Sequence, residues 1–329
     1  MHRRDVLALA LSSLSLSALG SRFAVAQSLN PEQPIRFVVP RSAGGVVDVV
    51  SRLWAQQVKP QLGNVIIENQ GGAGGIIAAT AVARAKPDGH TLLAGTTSEL
   101  VISPAVMTAP AYDPIKDLAP IAITAVSVSA IMVHESLPVH TLKELVTYAK
   151  ANPGKLSYGS AGVGTSAHLC AELFKQIAGL PDIVHVPYKG ANPGLVDFFS
   201  GRLPMFASSI SPQVLEMHRL GKIRILVAGT SRPLQAAPDI PTNVDAGFPE
   251  LVTLQFIGVF APGGTPRPII DQIAGVTHQV MADVELQNKL IAAGFEPVID
   301  SGPEQTAKFV DEEVVRWTPL LKASGIQLN

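Results

Sequence analysis

The stretch FVVPRSAGGVVDVVSRLWAQQV, Phe37 to Val58, decides how this chain is read. Phe37, Val38 and Val39 form a short apolar run that reads as a buried strand. Pro40 ends it, because proline cannot donate to a sheet ladder. Gly44 and Gly45 allow a sharp backbone turn. An apolar-periodic helix follows, with Asp48 near its start, where a carboxylate suits the positive end of the helix dipole. A strand-to-helix corner of this kind turns backbone N–H groups toward one point, a place for an anion. Taken alone, the stretch is equally a simple turn.

Outward from that corner, apolar runs and helical patterns alternate. IRFVV, VIIEN (Val65 to Asn69) and TLLAG read as strands, separated by VVSRLWAQQVKPQL and IIAATAVARAK as helices. This βαβαβ order predicts a parallel, doubly wound sheet. A polar loop is expected from Thr96 to Pro104. A long β-rich run, Ile121 to His134, is long enough to pass from one domain to another. A second alternating set then begins with the amphipathic helix TLKELVTYAKAN, whose Leu142, Leu145, Val146 and Ala149 share one face. LSYGS, IVHVPY, MFASS and IRILVAG are its strands. A second β-rich run, Val252 to Pro262, leads into three closing helices. The last of these carries Glu312 and Glu313 early and Lys322 late, as the dipole favours. The expected lobes are residues 27–125 with 254–329, and 126–253, joined at a hinge where a ligand cleft would lie.

Length and composition fit that picture. A chain of 329 residues can bury one large or two moderate cores, and 47% hydrophobic residues argue for a folded α/β protein. The formal charge of −1 offers nothing for nucleic acid. Residues 1–26 read as a secretory signal: MHRR, an apolar and small-residue run, and AVA at Ala24 to Ala26 before Gln27. Arg3 and Arg4 fit either a twin-arginine signal or an ordinary basic start. Removing this segment takes away Arg3, Arg4, Arg22 and Asp5 and leaves a net charge of −3. Beyond it, no run of about 18 apolar residues suggests a membrane span. Cys170 is the only cysteine, so no intramolecular disulfide can form. On a helix beside Leu169 and Leu173, it reads as buried and inert. Trp54 and Trp317 read as core residues.

A second glycine corner, YGSAGVGTSAH from Tyr158 to His168, matches the first in design. If each lies in its own lobe, the two face one another across the cleft. Thr165 and Ser166 can cap the helix that follows and donate to a ligand. Nucleotide loops do not fit: Gly159, Gly162 and Gly164 are spaced GxxGxG, Gly71 to Gly75 reads GGAGG, and no phosphate-loop lysine motif is present. A serine-hydrolase elbow is also off pattern, with Tyr158 where the first glycine belongs. The eight histidines show no metal-ligand spacing, and His185, between Val184 and Val186, reads as structural. Arg41 is either a bidentate clamp for a carboxylate or a surface arginine. Glu99 either accepts from a ligand amine or is solvated, and Lys189 either meets a ligand or is a loop charge.

PIRFVVPRSAGGVVDVVSRLWA, VIIENQGGAGGIIAATAVARAKPDGHTLLAGT, LSYGSAGVGTSAHLCAELFKQIAG and IVHVPYKGANPGLVDFFSG together resemble the Bug family of bacterial periplasmic receptors. This is the TctC-like group of the tripartite tricarboxylate transporters. GKIRILVAGTS, DIPTNVDAGFP and FIGVFAPGGTPRPIIDQI continue the resemblance over essentially the whole mature chain. It implies a two-lobed, hinge-closing α/β binding protein of the Venus-flytrap type, each lobe a doubly wound sheet. It also implies a periplasmic, non-enzymatic and monomeric receptor without cofactor or metal, whose ligand is a small organic carboxylate. A permease of the inner membrane or a sensor kinase would be its partner. A periplasmic enzyme acting on a carboxylic acid or ester through Ser160 is the alternative. Carried over, the ligand loops are Ser42, Ala43, Gly44 and Gly45 with Asp48, and Ser160, Ala161, Gly162, Val163, Gly164, Thr165 and Ser166 with His168. Thr96, Thr97, Ser98 and Glu99 would face the cleft, and Tyr188 would join it. The chain departs from the family at Arg41, at Ser103-Pro104 and at Ser208, where the family often has an uncharged residue, Asn-Pro and Asp. A cation gained and an anion lost predict an anionic ligand with one or more carboxylates.

Overall fold

The computed structural model describes residues 28–107 and 111–324; the signal segment read at residues 1–26 lies outside them. The first lobe opens with β1 (Ile35–Val39), helix α1 (Val46–Leu62), β2 (Val65–Asn69), a 3-10 turn (Ala73–Gly75), α2 (Ile76–Ala83) and β3 (Thr91–Thr96). β1 pairs in parallel with both β2 and β3, the βαβαβ arrangement that the alternation predicts. Side chains alternate across this sheet. Phe37 and Val39 join Trp54 in one core, while Val38 joins Ala78, Leu93 and Trp317 in another. A sheet covered by helices on both faces needs continuous apolar strands, which is why IRFVV carries so little polarity.

The segment after β3 differs from its reading as a loop. Ser98–Ile102 forms a π-helical turn and runs straight into α3 (Ser103–Val106), with Pro104 at the start of the helix. Proline fits there because the first helical turn has no N–H to lose.

β4 (Leu118–His134) is one strand in two settings. From Leu118 to Val128 it runs antiparallel to β9 (Leu254–Pro262), and β9 lies beside β3. From Ser129 onward it pairs with β7 (Met205–Ser209) and β8 (Ile223–Ala228). The sheets are therefore mixed rather than wholly parallel. The second lobe continues with α4 (Leu142–Ala151), β5 (Ser157–Ser160), α5 (Ser166–Ala178), β6 (Val184–Pro187), α6 (Ala191–Phe199) and α7 (Pro212–Arg219). β5 is parallel to β6 and to β7. After β9 the chain adds α8 (Arg267–Met281), α9 (Val284–Ala292), the short β10 (Phe295–Pro297) against β4, and α10 (Pro303–Ser324).

Strand order runs β2-β1-β3-β9-β4-β7-β5-β6, so β4 and β9 stand at the junction of two lobes. Trp54, Trp317 and Cys170 are buried as expected, and burial pushes the Cys170 thiol up to about 12, consistent with an inert side chain. Among the described residues no helix is long and apolar enough to cross a membrane.

Candidate functional site

The two glycine corners line the same cavities. Asn192, in the first turn of α6, donates its Nδ2 hydrogen to the Ala43 carbonyl at 3.3 Å, joining the second lobe to the first corner. The two adjoining cavities, of about 220 and 700 Å³, lie between the corners. Arg41, Ser42, Ala161, Thr165 and Gly190 line both. Gly44, Gly45, Ser166 and Ser208 line only the smaller cavity, and Gly162, Val163 and Tyr188 only the larger.

The first corner is held from behind. The Asp48 carboxylate accepts from Gly44 N at 2.9 Å, Arg52 Nε at 2.8 Å and Asn69 Nδ2 at 2.9 Å. Burial alone would raise this carboxyl, but the three donors outweigh it and hold it below the usual range. Asn69 Nδ2 also donates to the Arg41 carbonyl. Gly44 has φ +74°, a conformation glycine adopts without strain. Asp48 thus shapes the corner and lines neither cavity.

The second corner is held by a polar cluster. Thr165 caps α5, its Oγ1 accepting from His168 N at 3.2 Å and donating to the Gly162 carbonyl at 2.8 Å. His168 Nδ1 accepts from Gly164 N at 3.3 Å. Ser160 Oγ accepts from Gly162 N at 3.2 Å and lies 2.7 Å from His185 Nε2. The two imidazoles stack, with ring centroids 4.3 Å apart. Burial lowers each to about 4, so both are neutral near pH 7. Ser160, Gly164 and His168 line neither cavity, and Ser160 is fully buried.

Thr96, Thr97, Ser98 and Glu99 do not face the cleft as expected. All four are fully buried and line neither cavity. Thr97 Oγ1 accepts from Phe256 N, tying β3 to β9. Glu99 Oε2 accepts from Thr96 N at 3.1 Å, and Oε1 lies 2.5 Å from Arg41 Nη1. That nitrogen donates to the Pro40 and Gly74 carbonyls at 2.7 and 3.3 Å. Arg41 is therefore neither a lone surface cation nor a gain of net charge: buried Glu99 balances it. Arg41 adds no net positive charge to the cleft, contrary to the expectation from its place in the sequence. Ala43 contributes its carbonyl to Asn192 and lines neither cavity.

Sequence reasoning missed other walls. Gly71 to Gly75, off pattern as a nucleotide loop, form one side of the larger cavity together with Ile76 and Lys189. Asn192, Leu195, Ser209, Gln213 and Gln255 line the smaller. One signal was available: Gln255 is a single large polar residue inside the apolar run Leu254–Pro262. Among the described residues no aspartate or glutamate lines either cavity.

The family model described as the tripartite tricarboxylate transporter family receptor, TctC, matches residues 50–326. The chain belongs to this family. BugT of Bordetella pertussis is 31% identical over 323 residues, 98% of each chain. Among solved structures, MatC of Rhodopseudomonas palustris with bound malate is 29% identical, with a TM-score of 0.83 over 89% of this chain and 100% of that one. Rpa4515 of R. palustris with adipate is 32% identical, with a TM-score of 0.85 over 90% of this chain and 99% of that one. The fold is that of the two-lobed periplasmic binding proteins, and the family is one of solute receptors rather than enzymes.

Proposed function

We propose that this chain is a monomeric periplasmic receptor that captures a small organic carboxylate between its lobes, then delivers it to an inner-membrane permease or reports it to a sensor kinase. The observation that carries this reading is the charge of the cleft wall. Among the described residues no carboxylate lines either cavity; Arg41 is balanced by buried Glu99, and Lys189 is the charged lining group without an ion pair. At the start of α5, Ser166 is 1% exposed and its hydroxyl has no partner among the described residues, beside the positive end of the helix. A carboxylate supplies the acceptors this wall lacks. An ammonium group would find no countercharge, so amino acids fit poorly. The malate and adipate held by the two R. palustris relatives support the same class. Export would follow from the signal segment at residues 1–26.

Catalysis through Ser160 gains no support. Its hydroxyl meets His185, but the residue is fully buried and lines neither cavity, so no substrate carbonyl reaches it. A thermal-shift screen tests the receptor reading. An acid at about 100 times its Kd adds about 2.7 kcal/mol of stability. Malate, adipate or related acids are expected to raise the melting temperature, and amino acids to leave it unchanged. No shift with any acid, or a shift only with ammonium-bearing compounds, would overturn the reading.

A further inference from the structure

Gln255 occupies a telling place. It is the second residue of β9, at the junction of the lobes, and it lines the smaller cavity while being only 6% exposed. Its Cα partner across the antiparallel pair is Ser127 of β4. Ser209, the last residue of β7, lines the same cavity. The three side chains form a relay: Ser127 Oγ donates to Ser209 Oγ at 3.3 Å, and Ser209 Oγ donates to Gln255 Oε1 at 3.2 Å.

The direction of this relay has a chemical result. A primary amide carries one acceptor oxygen and two N–H donors. Here the oxygen is engaged by Ser209, whose own oxygen is engaged by Ser127. Gln255 Nε2 donates to no protein atom among the described residues, so both its hydrogens are available to a ligand, while Ser209 takes one of the two lone pairs of Oε1. The unpartnered Ser166 hydroxyl lines the same space.

We propose that Gln255, oriented by Ser209 and Ser127, is a specificity-determining residue that selects ligands presenting lone pairs, and rejects those presenting hydrogens, at the floor of the smaller cavity. This rests on reading the cleft as a carboxylate site and names the residue by which that site tells a carboxylate from its amide. The discrimination is asymmetric: a ligand N–H set against the amide N–H leaves buried donors unpaired, which is costly. Because Gln255 belongs to a strand shared by both lobes, the selected group is read where the lobes join. Ser209 and Ser127 act as positioning residues that keep the amide from turning over.

The test is calorimetry on the full mature chain with malate, adipate and the monoamide of each. Wild type is expected to prefer the diacid to its monoamide by tenfold or more. Gln255→Leu should weaken diacid binding by about ten- to a hundredfold, the range of a hydrogen bond to a charged group. Ser209→Ala should weaken it less, about two- to tenfold, and shrink the preference of acid over monoamide. Ser209→Thr, which keeps the hydroxyl, should restore both. Melting temperatures within a few degrees of wild type show that the variants fold. Wild-type binding that both Gln255→Leu and Ser209→Ala leave unchanged in affinity and preference overturns the inference while the receptor reading stands. Failure of wild type to bind either diacid overturns the inference, and failure with every acid of the thermal screen overturns the receptor reading as well.

Discussion

Arg41 shows how much a single residue's partner changes its meaning. Read in sequence, a cation inside the first corner offers a clamp for an anion. In the fold its side chain is 14% exposed and its charge is met by a carboxylate with no exposure at all. The partner lies 58 residues on, inside a segment without helical periodicity, so the pairing leaves no local trace. The pair's role is to hold corner and glycine wall together: Arg41 Nη1 reaches the Gly74 carbonyl, and a Cβ at Gly75 would collide with both side chains. Removing one partner of such a pair strands the other. Arg41→Ala is expected to cost about 3–5 kcal/mol in urea denaturation, and the double change Arg41→Met with Glu99→Gln to recover most of it. A loss below about 1 kcal/mol for Arg41→Ala would show that Glu99 is not held by this contact.

At the scale of elements, strands bounded by glycine or proline were legible because their apolar runs are short and fully buried on two faces. The corners were legible too, since Gly, Ser and Thr before an apolar-periodic run mark a helix start. The turn at Ser98–Ile102 and the three-residue β10 were not, because neither has a repeat long enough to show a period. The loop between β5 and α5 also depends on groups far away in sequence. His168 must stay unprotonated at Nδ1 to accept from Gly164, and His185 lies against it. Tyr158, Glu172 and Lys175 are the other titratable groups facing the pair. Burial places both imidazoles near 4 in the folded chain, below the ordinary value of 6.5. Between those values the unfolded chain takes up protons that the folded chain refuses. The stabilisation is therefore complete above the ordinary histidine range and is lost as pH falls toward 4. For a buried imidazole such as His168 the loss is about 3 kcal/mol. Urea midpoints of wild type should fall between pH 7 and pH 4.5, and His168→Asn should flatten part of that slope. A wild-type midpoint independent of pH over this range would contradict the assignment.

For the whole molecule, the alternation of strands and helices gave two α/β lobes, and the two long β-rich runs gave their junction. What the order of residues did not reveal is which walls the two lobes share. Gln255 and Ser209 are 46 positions apart, Asn192 and Ala43 149 apart; they meet only because β4 and β9 pass between the sheets. The cleft follows from that crossing: donor-rich, without carboxylates among the described residues, and open between two glycine corners. The most direct check of its role is a calorimetric titration of the acid found by the thermal screen into wild type and into Ala191→Trp. Ala191 lines the smaller cavity at the start of α6, where an indole would fill much of the space. One reversible site per chain in wild type, and affinity at least a hundredfold weaker in a folded Ala191→Trp, is the predicted result. Equal binding by the two proteins would place the ligand elsewhere and contradict the account.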